Sequence, residues 1–179
     1  MSGKAKIGSV LLSEEEIKNK VSELAEIINR EYADQELIVV GILKGCFVFI
    51  SDLLRNLKCD ARVYFMEVSS YNSGTESSGK IKIKKDLDVD IEGKDVLIAE
   101  DIIDSGKTLS HLMELLNLRK PKSLKICTLL SKPSRREVEM EADYTGFVIE
   151  DKFIVGYGLD YAEKFRQLPY IAEVIFENE

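Results

Sequence analysis

Val96-Leu97-Ile98-Ala99-Glu100-Asp101-Ile102-Ile103-Asp104-Ser105-Gly106-Lys107-Thr108-Leu109 is the stretch from which the fold is read. Val96 to Ala99 are four apolar residues in a row, the pattern of a short strand covered on both faces. They run into two adjacent carboxylates, which a core strand does not carry without a task, because buried charge is costly unless paired or metal-bound. Asp104 to Thr108 then places a glycine, which permits a tight turn, among hydroxyls and amides at a helix start, where a phosphate can be held. The spacing therefore predicts a strand from Val96 to Ala99, a loop carrying Glu100 and Asp101, and an anion cup at Ser105, Gly106, Lys107 and Thr108. A triphosphate-binding glycine loop is excluded, since that pattern requires glycine five residues before Gly106 and Asp101 stands there. A sugar near the acids and a phosphate in the cup fit the loop. Read alone, Asp104 is a helix N-cap.

The rest of the chain supplies the layers around this loop. Ser13-Glu14-Glu15-Glu16 opens a helix as a capping box, and Ile17, Val21, Leu24, Ile27 and Ile28 continue it at helical spacing through Tyr32. Leu37 to Leu43 reads as a buried strand, followed by Lys44-Gly45 and an apolar helix from Cys46 to about Leu57. In open α/β sheets ligands bind beyond the carboxyl ends of strands, which draws attention to Lys44 and Gly45. Arg62 to Val68 is another strand, and Ser69 to Lys80 is rich in small residues, as in a loop or lid. Ile81 to Lys84 alternates as a strand and predicts a hairpin beside that segment. Lys107 to Leu118 forms a crossover helix ended by Pro121, and Ser123 to Leu130 completes a βαβ unit, with Lys132 just past its end. His111 reads as a solvated helix residue.

These residues closely resemble the type I phosphoribosyltransferases, whose signature is an apolar strand, two acids, two apolar residues and an Asp-Ser/Thr-Gly-x-Thr loop. Lys44-Gly45, Ser70-Tyr71, Lys132 and the run Asp151-Lys-Phe153-Ile-Val-Gly-Tyr-Gly-Leu-Asp160-Tyr resemble in particular the hypoxanthine-guanine branch, over most of the chain from Gly41 to Arg166. The resemblance implies a mostly parallel sheet flanked by helices, in one domain spanning 1–179. It also implies a small base-binding hood made from the N-terminal segment and roughly 132–179. The implied reaction transfers phosphoribose from phosphoribosyl pyrophosphate to a 6-oxopurine. In it Asp104 is the general acid/base, and Glu100, Asp101, Asp104, Ser105, Gly106, Lys107 and Thr108 hold the phosphoribosyl group. Lys44, Gly45 and Arg166 contact pyrophosphate, while Ser70 and Tyr71 belong to a closing lid. Lys132, Phe153 and Ile154 read the base; relatives commonly carry valine where Ile154 stands, which leaves backbone readout intact. Magnesium is the implied cofactor, associated with Glu100, Asp101 and Asp160.

Composition narrows the alternatives. With 179 residues the chain can bury about 70% of its unfolded surface as one domain. Three cysteines without CxxC spacing argue against a disulfide framework or zinc site and for a reducing compartment. No leader-like or membrane-length apolar segment is read, so a cytoplasmic location without membrane partners is expected. A net charge of −7 argues against a nucleic-acid partner. Homodimers or homotetramers are implied by the resemblance alone. The rival readings are a phosphoribosyltransferase for xanthine or a pyrimidine, and a non-catalytic RNA-binding regulator on the same fold; the acidic balance and intact loop oppose the latter.

Overall fold

The computed structural model describes residues 4–70 and 81–177. The main sheet has six strands, β2 (Glu36–Leu43), β3 (Asp60–Ser70), β4 (Ile81–Lys85), β5 (Asp95–Ile103), β6 (Ser123–Ser131) and β7 (Tyr144–Val148). Their order is β4-β3-β2-β5-β6-β7. All neighbours pair parallel except β3 and β4, which form the expected antiparallel hairpin. β2 and β5 lie side by side at the centre, where the strand order reverses, so their carboxyl ends meet at the point where such sheets bind ligands.

Strand parity explains why both central strands read as unbroken apolar runs. Leu37, Val39, Leu97 and Ala99 face one cluster, together with Ile17, Val21 and Ile28 of α1 (Glu14–Glu31) and Phe49, Ile50 and Leu53 of α2 (Phe47–Asn56). Ile38, Val40, Val96 and Ile98 face the other, together with Leu109, Leu112 and Leu116 of α3 (Lys107–Asn117). A sheet covered by helices on both faces leaves no polar side to its inner strands. The predicted capping box is present: Ser13 Oγ accepts from the Glu16 amide at 3.2 Å, and Glu16 Oε2 accepts from the Ser13 amide at 2.8 Å.

Three features depart from the sequence reading. β5 does not stop at Ala99; its ladder with β6 continues through Glu100↔Thr128 to Ile103↔Ser131, so both acids are strand residues. The 144–148 segment, expected in the hood, adds to the main sheet as β7. A second sheet is made of β1 (Lys4–Leu12), β8 (Ile154–Val155) and β9 (Ile171–Glu177), in the order β1-β9-β8, from segments expected in the hood. β1 has no alternating pattern and exists through its antiparallel pairing with β9. Among the described residues no helix is long and apolar enough to cross a membrane.

At the edge of the sheet away from the central loop, Glu31 accepts hydrogen bonds from the Lys125 ammonium and the Tyr144 hydroxyl. These hold its carboxyl below the ordinary value of 4.5. A carboxylate lowered on folding contributes stability above its unfolded pKa and loses it as pH falls through the folded one. Glu31→Gln should therefore cost about 1 kcal/mol near neutrality, after allowance for solvent screening, or about 2–4 °C in Tm. The difference from wild type should vanish in melts at a pH below the folded pKa of Glu31; a constant difference at all pH values would contradict the assignment.

Candidate active site

At the carboxyl end of β5 the two acids serve adjoining cavities. Glu100 lines a cup of about 280 Å³ with Asp104, Ser105, Gly106 and Thr108. Asp101 lines a cleft of about 490 Å³ with Lys44, Gly45, Asp104, Lys132, Phe153, Ile154, Asp160, Glu163 and Arg166. The expected base, sugar and pyrophosphate residues, which lie up to 122 positions apart in the chain, thus meet in one depression. A larger cavity of about 770 Å³ between α1, α2 and the 166–169 segment holds none of the expected residues except Arg166. Size alone does not locate the chemistry, and the convergence of acids, cations and a glycine turn does.

The cup is shaped by Gly106, which N-caps α3 with φ +81°, a left-handed conformation that glycine adopts without strain. Asp104 is therefore not the N-cap. A Cβ on Gly106 would lie 3.0 Å from Val138 and 3.2 Å from Arg136, so the turn is also packed from behind. The Ser105 hydroxyl accepts from the Lys107 amide at 3.4 Å, and the Lys107 ammonium is ion-paired with Glu137 and does not line the cup. Arg136 belongs to no motif of the sequence. Its guanidinium donates to the carbonyls of Ile103, Asp104 and Met140 and to Ser131 Oγ, clamping the turn on which Asp104 sits. A planar five-donor fork can satisfy four acceptors at once where a lysine cannot.

Asp101 is buried, and the structure fixes it tightly. Its Oδ1 accepts from the Ile102 amide at 2.8 Å. A Cβ at Gly45 would lie 1.7 Å from its Oδ2, and a Cβ at Gly158, where φ is +100°, would lie 2.2 Å from the Gly45 carbonyl oxygen. Asp101, Gly45 and Gly158 thus stack with no space for a side chain between them. Burial pushes the Glu100 carboxyl well up, with the Asp101 charge and a direct contact between the two carboxyls adding to the effect. Asp101 is also raised, by burial, against the lowering effect of its hydrogen bonds and the Arg166 charge. Such a pair of crowded oxygen ligands suits a hard divalent cation. Asp160, the third expected metal-associated acid, is engaged by Arg166 at 2.9 Å. Among the described residues, no group of three or more acidic, histidine or cysteine side chains is gathered closely enough to hold a metal by itself.

Among the residues expected to read the base, Lys132 is buried, donates to the Lys152 carbonyl at 2.6 Å and lies 3.8 Å from Asp151 Oδ1. Asp104 is paired with Arg135 at 3.3 Å, and Arg135 reaches Asp151 at 3.7 Å. Ile154 is buried, and Phe153, half-exposed, opens onto the cleft. Phe153 forms an edge-to-face triangle with Tyr161 and Phe176, with centroids 5.7, 5.6 and 5.4 Å apart. Phe176 lies on β9 and was invisible to motif reading, being an isolated aromatic near the end of the chain. Of the residues expected to meet pyrophosphate, Lys44 pairs with Glu163 at 3.1 Å, and Arg166 NH1 donates to the Gly158 carbonyl at 2.7 Å. The Leu43–Lys44 peptide is cis. Tyr71 lies outside the described residues, and of Ser70 only the backbone, at the end of β3, is described. His111 is half-buried on α3, its Nδ1 3.0 Å from the Lys107 carbonyl.

A model of the phosphoribosyl transferase domain matches residues 9–162, and the chain belongs to that family. Within it, the chain is 53% identical to the hypoxanthine phosphoribosyltransferase of Escherichia coli K12 over 172 residues, covering 95% of this chain and 97% of that protein. It is 54% identical to the hypoxanthine-guanine phosphoribosyltransferase of Bacillus subtilis over 165 residues, 92% of each. It is equally similar to a bifunctional TilS/HprT protein of Listeria monocytogenes, of which it spans only 26%. Its fold matches a crystal structure of a Bacillus anthracis hypoxanthine-guanine phosphoribosyltransferase with a TM-score of 0.91 and 50% identity, covering 96% of this chain and 99% of that one.

The stack of Asp101 on Gly45 generates a test. Gly45→Ala must displace a buried carboxylate or the cleft backbone and should cost about 1–3 kcal/mol by overpacking. In this cleft it should also lower kcat/KM more than a matched destabilisation elsewhere, such as Glu31→Gln. Wild-type stability and turnover in the Ala variant would show that the contact is loose.

Proposed function

We propose that the chain transfers the 5-phosphoribosyl group of phosphoribosyl pyrophosphate to hypoxanthine or guanine, giving IMP or GMP and pyrophosphate, as a purine salvage enzyme. The observation that carries this reading is the convergence of Lys132, Phe153, Asp104, Asp101, Lys44 and Arg166 on one cleft that adjoins the Ser105–Thr108 cup. A nucleotide has the same sequence of parts: base, sugar, phosphate.

In this reading the cup amides and hydroxyls hold the 5-phosphate, and a purine ring nitrogen attacks C1 of the ribose as the bond to pyrophosphate breaks. The Asp104 carboxylate accepts the proton that the imidazole ring of the base gives up, and Arg136 keeps the carbonyls beside it from drifting. Lys44, the amides around Gly45 and Arg166 receive the pyrophosphate oxygens. Glu100, Asp101 and Asp160 are the residues that would hold magnesium, which when bound offsets the charge of the pyrophosphate. Phe153 offers a face on which the base stacks, a contact worth about 1–3 kcal/mol at comparable sites.

Base choice rests on Lys132. Its ammonium has three donors and no acceptor, and one donor is spent on the Lys152 carbonyl. The remaining donors match a 6-oxo group, whereas a 6-amino group would set donor against donor.

The direct test is product formation from phosphoribosyl pyrophosphate and magnesium with hypoxanthine, guanine, xanthine, adenine and uracil in turn. Conversion of hypoxanthine or guanine, abolished by a chelator, is expected; conversion of uracil alone would overturn the reading. Lys132→Ala should reduce the preference for hypoxanthine over adenine about ten- to a hundredfold, as for loss of a hydrogen bond from a charged donor, while the KM for phosphoribosyl pyrophosphate moves by less than about twofold. Equal losses for both substrates would remove Lys132 from the base site.

A further inference from the structure

Both cations on the pyrophosphate side of the cleft are already engaged, and one carboxylate engages both. Glu163 Oε1 lies 3.1 Å from Lys44 Nζ, and its Oε2 lies 3.3 Å from Arg166 NH2. Glu163 itself lines the cleft. Its placement is imposed by the backbone: φ at Glu163 is +63°, between Ala162 at +51° and Phe165 at +76°, and its amide donates to Asp160 Oδ2 at 2.8 Å. Left-handed backbone at non-glycine residues is unfavourable and persists where the surroundings enforce it. The Tyr161↔Lys164 bridge closes the same short loop. The loop thus spends backbone strain to carry one acid into an anion-binding corner, a negative charge where the ligand is a polyanion.

We infer that Glu163 is an internal stand-in for the pyrophosphate group, occupying Lys44 and Arg166 in the free protein and returning to them as pyrophosphate leaves. This inference rests on the reading of Lys44 and Arg166 as pyrophosphate ligands. The stand-in has two effects of opposite use. It weakens the binding of phosphoribosyl pyrophosphate, because the incoming anion must break two existing ion pairs and meets a like charge. It also speeds release, because the vacated cations have a tethered replacement, and product release sets turnover in many enzymes. Unlike the central loop, Glu163 takes no part in bond making. It sets specificity against small anions instead, since a ligand must offer more than one carboxylate does to displace it.

The test uses Glu163→Gln, which keeps the size of the side chain and the left-handed backbone while removing the charge. Pyrophosphate binding in the presence of magnesium is measured by calorimetry without any base, and steady-state constants are measured for both substrates. The variant is expected to bind pyrophosphate about three- to tenfold more tightly, the scale of one partly exposed ion pair or like-charge contact. Its KM for phosphoribosyl pyrophosphate should fall in step and its KM for the base should stay as in wild type. The gain should shrink as salt is raised. Unchanged or weaker pyrophosphate binding by Glu163→Gln, with wild type binding normally, overturns the inference. Wild type that does not bind pyrophosphate at all would instead overturn the placement of Lys44 and Arg166. Thermal melts of the variant separate either result from a folding defect, and Glu163→Ala repeats the charge removal should Gln retain hydrogen bonds to both cations.

Discussion

The absence of any room for a side chain at position 45 governs the site. Asp101 at the end of β5, Gly45 after β2 and Gly158 in the hood lie against one another closely enough that a single added carbon at either glycine would overlap an oxygen. Three chain segments that arrive from different directions are thereby given one common origin. Arg166 is tied to the Gly158 carbonyl, so its guanidinium inherits the same reference. The arrangement keeps a raised-pKa carboxyl pair in a closed corner, which is unfavourable taken alone. It stands because β2 and β5 behind it are buried along most of their length and well paired, and local strain persists where the surroundings over-determine it.

Charge in the cleft is nearly self-balanced. Lys44 pairs with Glu163, Arg166 with Asp160 and Glu163, and Arg135 with Asp104 and Asp151. Ligand binding is consequently an exchange of partners. Counting each new contact at its full Coulomb value would overstate affinity, because every cation gives up an existing partner and both ions lose water. Lys132 differs in that it is buried and its hydrogen bond goes to a backbone carbonyl, with Asp151 at 3.8 Å as its ion-pair partner.

What the sequence made legible follows from how local each signal is. The inner strands were readable because burial on both faces leaves only apolar residues, and the Asp104–Thr108 turn because its residue types serve one purpose. The length of β5 was underestimated because two acids look like the end of a strand, whereas pairing with β6 carries the ladder through them. Tyr144–Val148 has the same composition whether it joins the hood or the main sheet, and only its pairing with Cys127–Ser131 decides. Arg136, Glu163 and Phe176 were missed for a common reason. Each acts on a residue reached through tertiary contact, Phe176 on Phe153 and Glu163 on Lys44, with no period or motif linking the two positions.

The pairing of β1 with β9 brings Lys4 opposite Glu177, so the first and last described strands are neighbours in one small sheet. Strand ends held side by side let polypeptide be joined to either one without rerouting any strand of the main sheet. The Listeria relative, in which a matching region makes up about a quarter of a bifunctional protein, is such a joining. The same adjacency couples the ends to the cleft through Phe176, one strand position from Glu177. A segment appended there would bear on the aromatic triangle before it bore on the cup.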